Sequence, residues 1–101
     1  MKETAWKWLS DNESKLIETS DKIWNLAELG LVEYKSSEIL AKSLEENGFK
    51  VRRGVAEMPS AFVASWGSGK PIIGVQGEYD ALPGLSQKVT THREPIVEGA
   101  P

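Results

Sequence analysis

The 101-residue chain contains no cysteine and a single histidine, His92. Without cysteine it can form neither a disulfide framework nor a thiolate metal site, and one histidine cannot build a histidine-rich metal cage. Any chemistry that the chain performs alone must therefore use carboxylates, hydroxyls or lysines. The absence of cysteine and of an apolar leader at the N-terminus is typical of cytoplasmic proteins, so we expect a cytoplasmic location.

The chain also lacks an excess of positive charge and any long apolar run. Lys and Arg number 12 against 15 Asp and Glu, which gives a formal net charge of -3. Nucleic-acid affinity depends on clustered Lys and Arg, so we expect no nucleic-acid partner. No apolar run approaches the roughly 18 to 20 residues that cross a bilayer, so we expect no membrane partner. The length suits one small globular domain.

Apolar periodicity predicts a long first helix at about residues 3–29. Gly30 is expected to end it, because a residue without Cβ adopts the left-handed conformation that closes a helix. Trp6 and Trp8 have two interpretations. We favour burial in the core, because aromatic residues at helical spacing are usually core residues, and the alternative is an exposed docking patch.

A second helix is predicted at about residues 36–47. The Ser36 hydroxyl is expected to cap its free N–H groups. Gly48 is expected to follow its last turn in a Schellman motif, with Phe49 in the position that contacts Leu44.

Three strands are predicted at about residues 49–53, 61–66 and 71–77, with a hairpin turn at 67–70 between the last two. The third strand does not alternate with charges, so we expect both of its faces to be covered. The fold class is therefore α/β, with two helices packed on a small mixed sheet. The predicted core residues are Leu16, Ile17, Ile23, Trp24, Leu40, Leu44, Val51, Val63, Ile72 and Val75.

No periodic pattern continues through residues 80–101. A stretch of this length without regular structure is unusual in a compact domain, where connections have a median of about 4 to 6 residues. We therefore expect residues 1–101 to form an incomplete portion of a domain.

Asp80 is the candidate functional residue, because it lies at a sharp turn directly after the predicted apolar strand. Ligands collect at the carboxyl ends of strands in open α/β sheets. Asp80 could also simply bond the N–H groups of its own turn. Glu78 lies two residues earlier and shares its face in an extended chain, so the two carboxylates could form an acid–base pair or a cation site.

Other motifs give no support for catalysis. His92 lies in a polar loop with no second histidine near it in sequence, so an exposed histidine without a special role is favoured. The glycines at 67–70 lack the spacing of a phosphate-binding loop. No serine has the Gly-x-Ser-x-Gly surroundings of a catalytic nucleophile.

Four blocks of sequence share their order and spacing with a known family. They are IWNLAELG at 23–30, EYKS at 33–36, LEENGFKV at 44–51, and GKPII at 69–73 leading to GEYDALPGLSQ at 77–87. In these blocks the chain resembles the N-terminal part of zinc aminoacylase and carboxypeptidase-type metallohydrolases. The resemblance is specific over about residues 23–87 and loose outside them.

The resemblance implies a zinc-exopeptidase-like α/β catalytic domain with a smaller domain inserted for dimerisation. It also implies an amidohydrolase with two divalent metals, zinc or manganese. Its substrate would be aminobenzoyl-glutamate or a similar N-acyl amino acid or dipeptide. The complete protein would be a homodimer or would pair with a homologous subunit.

Within this resemblance Asp80 matches the family aspartate at the end of the strand, which accepts the N–H of a metal-binding imidazole. The carboxypeptidase branch has a metal-binding histidine two residues before this aspartate, where this chain has Glu78. No metal ligand or cofactor-binding residue is therefore assigned in this chain, and His92 matches no ligand position. The ligands are expected beyond Pro101, in a Gly-His-x-Cys-Gly-His-type segment and in later glutamate and histidine positions.

Two functions follow as hypotheses. In the first, the chain is a fragment of the amidohydrolase and is inactive alone. In the second, it is a non-catalytic binding or assembly module derived from the same fold, which pairs with a partner through Trp6, Trp8 and an uncovered sheet.

Overall fold

Two helices and a two-stranded antiparallel sheet make up the regular structure of residues 1–100, the part of the chain that the computed structural model describes. Helix α1 spans Lys2–Leu26 and helix α2 spans Tyr34–Glu46. Strands β1 (Lys50–Arg53) and β2 (Phe62–Ser65) follow, separated by a loop that contains one short 3-10 turn. No helix in this part of the chain is both long and apolar enough to span a membrane.

Helix α1 ends at Leu26, and Gly30 does not end it, contrary to the prediction. Ala27 adopts the left-handed conformation instead, with φ of 40°, and its N–H donates to the Ile23 carbonyl at 3.2 Å. Leaving the helix at this point carries Glu28 to the start of α2. The contact of Glu28 with the start of α2, rather than the glycine at position 30, therefore determines where α1 ends.

The start of α2 is capped by Glu28, not by the Ser36 hydroxyl as predicted. Glu28 Oε1 accepts the Lys35 N–H at 3.1 Å, and Oε2 accepts both the Ser36 N–H and the Ser36 hydroxyl at 2.8 Å. Ser36 itself is buried in the first turn. Burial opposes the ionisation of Glu28, but these bonds from Ser36 and Lys35 outweigh it and hold the pKa of the carboxyl below its ordinary value.

Replacing Glu28 with glutamine should lower the melting temperature by about 5 °C at pH 7, because the neutral amide loses the charge that complements the helix N-terminus. Glu33→Gln is the matched control, since Glu33 occupies the N-cap position without a side-chain cap bond. Thermal denaturation by circular dichroism measures the difference. Equal melting temperatures for the two variants would show that Glu28 is not the cap.

The predicted end of α2 at Gly48 is confirmed. Gly48 has a φ of 86°, and its N–H donates to the Glu45 carbonyl at 3.0 Å. The Phe49 N–H donates to the Leu44 carbonyl at 3.0 Å. This pair of bonds is the Schellman motif, and it turns the chain directly into β1.

The sheet pairs Val51 with Ala64 and Arg53 with Phe62. These residues share one face of the sheet, the face that carries Arg53 to α2. Along β2, Phe62 and Ala64 are half-buried, whereas Val63 and Ser65 are exposed. The sheet therefore has one covered face and one open face.

Residues 71–77 form no strand, so the prediction of a third strand and of a hairpin turn at 67–70 is wrong. Within residues 1–100 the sheet is antiparallel rather than mixed. Ile72, Ile73 and Val75 are 87%, 83% and 94% exposed. A strand without polar alternation needs cover on both faces, and these three side chains have almost none.

The predicted core is largely wrong as well. Ala41 is the buried apolar residue among those described, alongside the buried Ser36, Ser37 and Ser60. Of the predicted core residues, Ile23, Leu40, Leu44 and Val51 are half-buried, and Leu16, Ile17, Trp24, Val63, Ile72 and Val75 are exposed.

Trp6 and Trp8 are 67% and 49% exposed, so the core interpretation of these two residues is wrong too. The radius of gyration of 16.3 Å exceeds the about 13 Å of a compact 100-residue domain. The helices are therefore formed, but their apolar faces are incompletely covered.

Candidate functional site

Tyr79 anchors the chain immediately before the candidate aspartate. Its ring stacks on Phe62, with centroids 6.3 Å apart and planes inclined by 29°. Its hydroxyl donates to the carbonyl of Ser60, a buried residue in the loop that leads into β2. The segment that leaves the sheet after Ser65 is thus tied back to the beginning of the same strand.

Asp80 and Glu78 flank this anchor, and both are exposed. No hydrogen bond or salt bridge joins either carboxylate to another of residues 1–100, so Asp80 does not bond the N–H groups of its own turn. The side chain of Asp80 is free to accept a hydrogen bond from another group. The predicted pairing of the two carboxylates in an acid–base or cation site stays a hypothesis.

Residues 1–100 contain no group of three or more His, Cys, Asp or Glu side chains placed to hold a metal ion. Asp80 and Glu78 supply two carboxylates without a third donor beside them. The described residues therefore do not form a metal centre by themselves.

His92 lies in a loop whose side chains bond to other side chains and backbone groups of the same loop. His92 Nε2 lies 3.1 Å from Glu94 Oε2, and Glu94 also accepts a bond from Lys88 Nζ. Gln87 Nε2 donates to the carbonyls of Lys88 and His92 at 2.9 Å, and Gln87 Oε1 accepts the Glu94 N–H at 3.1 Å. His92 does not bond to Asp80, and its imidazole contacts Glu94 instead.

Gln87 also connects this loop to α1, a role that the sequence analysis missed. Its carbonyl accepts the Trp24 indole N–H at 3.3 Å. The two residues lie 63 positions apart, and no local pattern distinguishes Gln87 from any other loop glutamine. This contact holds the C-terminal segment against the end of the first helix.

Arg53 forms a charged cluster with Glu38 and Glu45, and the sequence analysis missed this as well. Its Nε and Nη2 atoms donate to the two Glu38 oxygens at 2.8 and 3.2 Å. Nη1 and Nη2 donate to the two Glu45 oxygens at 2.6 and 3.0 Å. The guanidinium is thus bidentate to both carboxylates. The strand alternation, which puts Arg53 on the same face as Val51, is the signal that could have indicated this contact.

The cluster shifts the titration of its members in opposite directions. Hydrogen bonds from Arg53 lower the pKa of Glu45 despite some opposing burial, and the charge of Arg53 acts in the same direction. Hydrogen bonds to Glu45 and Glu38 raise the pKa of Arg53. Because its guanidinium is already committed to two carboxylates, Arg53 holds α2 on the sheet and is not available to bind an anionic substrate.

Comparison with known proteins gives one informative similarity. The chain is 47% identical over 77 residues to a p-aminobenzoyl-glutamate hydrolase subunit from Escherichia coli (strain K12). The matched stretch covers 76% of this chain but 16% of the relative, so the chain spans about one sixth of the length of the curated relative it matches. No family model matches the chain, and no solved structure matches it. The identity supports the resemblance to a hydrolase that the sequence blocks indicate.

Proposed function

We propose that this chain forms the N-terminal part of a metal-dependent amidohydrolase with a zinc-exopeptidase-like catalytic domain. The reaction is hydrolysis of the amide bond of p-aminobenzoyl-glutamate or of a similar N-acyl amino acid or dipeptide. The observation that carries the proposal is the 47% identity over 77 residues to the Escherichia coli hydrolase subunit. The antiparallel sheet and the two helices are compatible with an α/β fragment.

Asp80 is the residue of this chain that we assign to the site. An exposed carboxylate without an internal partner can accept the N–H of an imidazole, and such a bond fixes the tautomer and orientation of a metal-binding histidine. The Tyr79 anchor supports this assignment, because it holds the backbone next to Asp80 in place. The imidazole would come from polypeptide outside residues 1–100.

Two divalent metal ions, zinc or manganese, belong to the proposal for the complete protein. The described residues do not form a site for them, so their ligands and the general base would lie elsewhere in that protein. The isolated chain would accordingly be inactive.

The complete protein would work in the cytoplasm as an assembly of subunits. The relative is itself named as a subunit. The assembly would be either a homodimer or a pair of homologous subunits.

The isolated chain tests the placement of the ligands. Incubated with zinc or manganese, it should retain less than one equivalent of metal by elemental analysis and should not hydrolyse p-aminobenzoyl-glutamate. Stoichiometric metal together with turnover would contradict the proposal. Joined to the remainder of the Escherichia coli protein, the same chain should support hydrolysis.

The second candidate function is a non-catalytic assembly module. The exposure of Trp6 and Trp8, at 67% and 49%, is the observation that favours it. Failure of the joined protein to hydrolyse the substrate, with its fold intact, would favour this function over catalysis.

A further inference from the structure

Tyr79 is the fixed point of the segment that leads from the sheet to Asp80. Among residues 65–80 it is half-buried, whereas the others are exposed. Within the described residues 1–100, its hydroxyl makes the one hydrogen bond that ties residues 66–80 to another part of the chain. The next residue bonded to either helix is Gln87, whose carbonyl accepts the Trp24 indole N–H. The position of Asp80 therefore depends mainly on its neighbour Tyr79.

The carbonyl that accepts the Tyr79 hydroxyl is itself held in place. It belongs to Ser60, which is buried in the loop before β2. The next residue, Ala61, donates its N–H to the Met58 carbonyl at 3.0 Å, and the Ala61 carbonyl accepts the Gly54 N–H at 2.8 Å. These backbone bonds close the loop on both sides of the acceptor, so the hydroxyl bonds to a fixed group.

The ring of Tyr79 has a second attachment, which leads to α2. It stacks on Phe62, the first residue of β2. Phe62 pairs with Arg53 in the sheet, and the Arg53 guanidinium bonds both Glu38 and Glu45 on α2. The hydroxyl and the ring thus connect Tyr79 to the loop, the sheet and the second helix.

This double attachment determines which way the neighbouring carboxylates face. Tyr79 is half-buried, whereas Glu78 before it and Asp80 after it are exposed. The tyrosine side chain therefore lies against the folded chain and leaves the Asp80 carboxylate accessible to a group outside residues 1–100. Orientation of such a group requires an exact position, since a displacement of about 1 Å can cost about 100-fold in rate.

We propose that Tyr79 is a positioning residue for the hydrolysis. Its bond to the Ser60 carbonyl and its stack on Phe62 hold Asp80 where the carboxylate can orient a metal-binding imidazole. This inference rests on the proposed function and adds to it a requirement for the Tyr79 hydroxyl. Tyr79 acts through Asp80, because its hydroxyl is committed to the Ser60 carbonyl.

Tyr79→Phe tests the hydroxyl in a chimera in which this chain replaces its matched stretch in the Escherichia coli protein. Phenylalanine keeps the stacked ring, so kcat should fall by about 10-fold with KM unchanged. Tyr34→Phe is the matched control, because it removes the same atom from a tyrosine that is 53% exposed and whose hydroxyl bonds no other of residues 1–100. Its kcat should not change, and equal kcat values in the two variants would overturn the inference.

A double variant separates positioning from a general effect on the fold. When Asp80→Ala has removed the positioned carboxylate, adding Tyr79→Phe should lower kcat no further. Phe62→Leu removes the other attachment and should behave in the same way, with a loss of kcat that disappears in the Asp80→Ala background. Losses that multiply in the double variants would show that Tyr79 acts independently of Asp80 and would contradict the proposal.

Amide relaxation measured by NMR tests the positioning in the isolated chain, without the reaction. In Tyr79→Phe the order parameter of the Asp80 amide should fall below about 0.6, the range of flexible backbone. The amide of Ala41, which is buried in α2, should not change. An Asp80 order parameter equal to that of the unsubstituted chain would show that the hydroxyl does not hold this residue.

The kinetic results also distinguish this inference from the function on which it rests. If the unsubstituted chimera hydrolyses p-aminobenzoyl-glutamate and Asp80→Ala reduces that activity, a normal kcat in Tyr79→Phe overturns the role of Tyr79 alone. A folded, metal-loaded chimera without activity overturns the proposed function, and the role of Tyr79 with it.

Discussion

Asp80→Asn should lower the hydrolysis of p-aminobenzoyl-glutamate by about 10- to 100-fold in a chimera in which this chain replaces its matched stretch in the Escherichia coli protein. Asparagine keeps the size of the side chain but removes the negative charge that would orient and stabilise a metal-binding imidazole. Because Asp80 is exposed and has no bonding partner among residues 1–100, the same substitution should leave the melting temperature of the isolated chain unchanged. The loss would therefore be one of activity alone.

Glu46→Gln is the matched control for this variant. It makes the same change of charge at an exposed residue at the end of α2. The chimera carrying it should retain its turnover. Metal content measured beside the kinetic constants shows whether Asp80→Asn acts on metal affinity or on kcat, and both outcomes fit an orienting role. Unchanged turnover and unchanged metal content in Asp80→Asn would exclude that role.

Arg53→Met should lower the melting temperature of the isolated chain by about 8 °C at low salt, because it removes the two bidentate contacts that tie β1 to α2. Methionine keeps the apolar stem of the side chain, so the decrease in melting temperature measures the contribution of the guanidinium group. The arginine side chain is 36% exposed and its partners are more exposed, so added salt should reduce the effect.

Arg52→Met provides the comparison, since Arg52 is exposed on the opposite face of β1. Its melting temperature should fall by less than about 2 °C. Differential scanning calorimetry distinguishes the two variants. An equal loss in both would mean that removal of any β1 cation destabilises the chain, and the Arg53 cluster would then have no special part in the fold.

The same cluster makes stability depend on pH. The folded pKa of Glu45 is held below its ordinary value of 4.5 by hydrogen bonds from Arg53. The stabilisation is therefore complete above the unfolded pKa and is lost as the pH falls through the lowered folded pKa. Between pH 7 and pH 3 the melting temperature of the unsubstituted chain should fall further than that of Arg53→Met. Equal acid sensitivity in the two proteins would contradict this assignment.

The helices and the Gly48 turn could be predicted because they depend on residues close together in sequence. Periodicity over α1 and α2 and the φ preference of glycine are local signals. The capping of α2 by Glu28 depends on a residue outside the helix, eight positions before Ser36. No propensity argument selects that glutamate from the others in the chain.

The prediction of a strand at residues 71–77 is wrong for a different physical reason. Its apolar pattern is typical of a strand that is covered on both faces. The segment forms such a strand only where other parts of the protein provide that cover. Ile72, Ile73 and Val75 are exposed in residues 1–100 because the described residues do not provide that cover. The prediction of the core residues is largely wrong for the same reason.

The candidate site was accessible to sequence reasoning in part. Asp80 stands out by its position after an apolar run and by resemblance to a family motif. The Tyr79 anchor could not be predicted, because it depends on the carbonyl of Ser60, 19 residues earlier, and on the Phe62 ring. The role of Asp80 stays a prediction, since its proposed imidazole partner lies outside the described residues.

Hydrolysis of p-aminobenzoyl-glutamate by the chimera tests the central claim most directly. The account predicts turnover close to that of the native Escherichia coli hydrolase, with none from the isolated chain under the same conditions. A chimera that folds, assembles and carries its full complement of metal, yet hydrolyses the substrate no faster than the isolated chain, would contradict it.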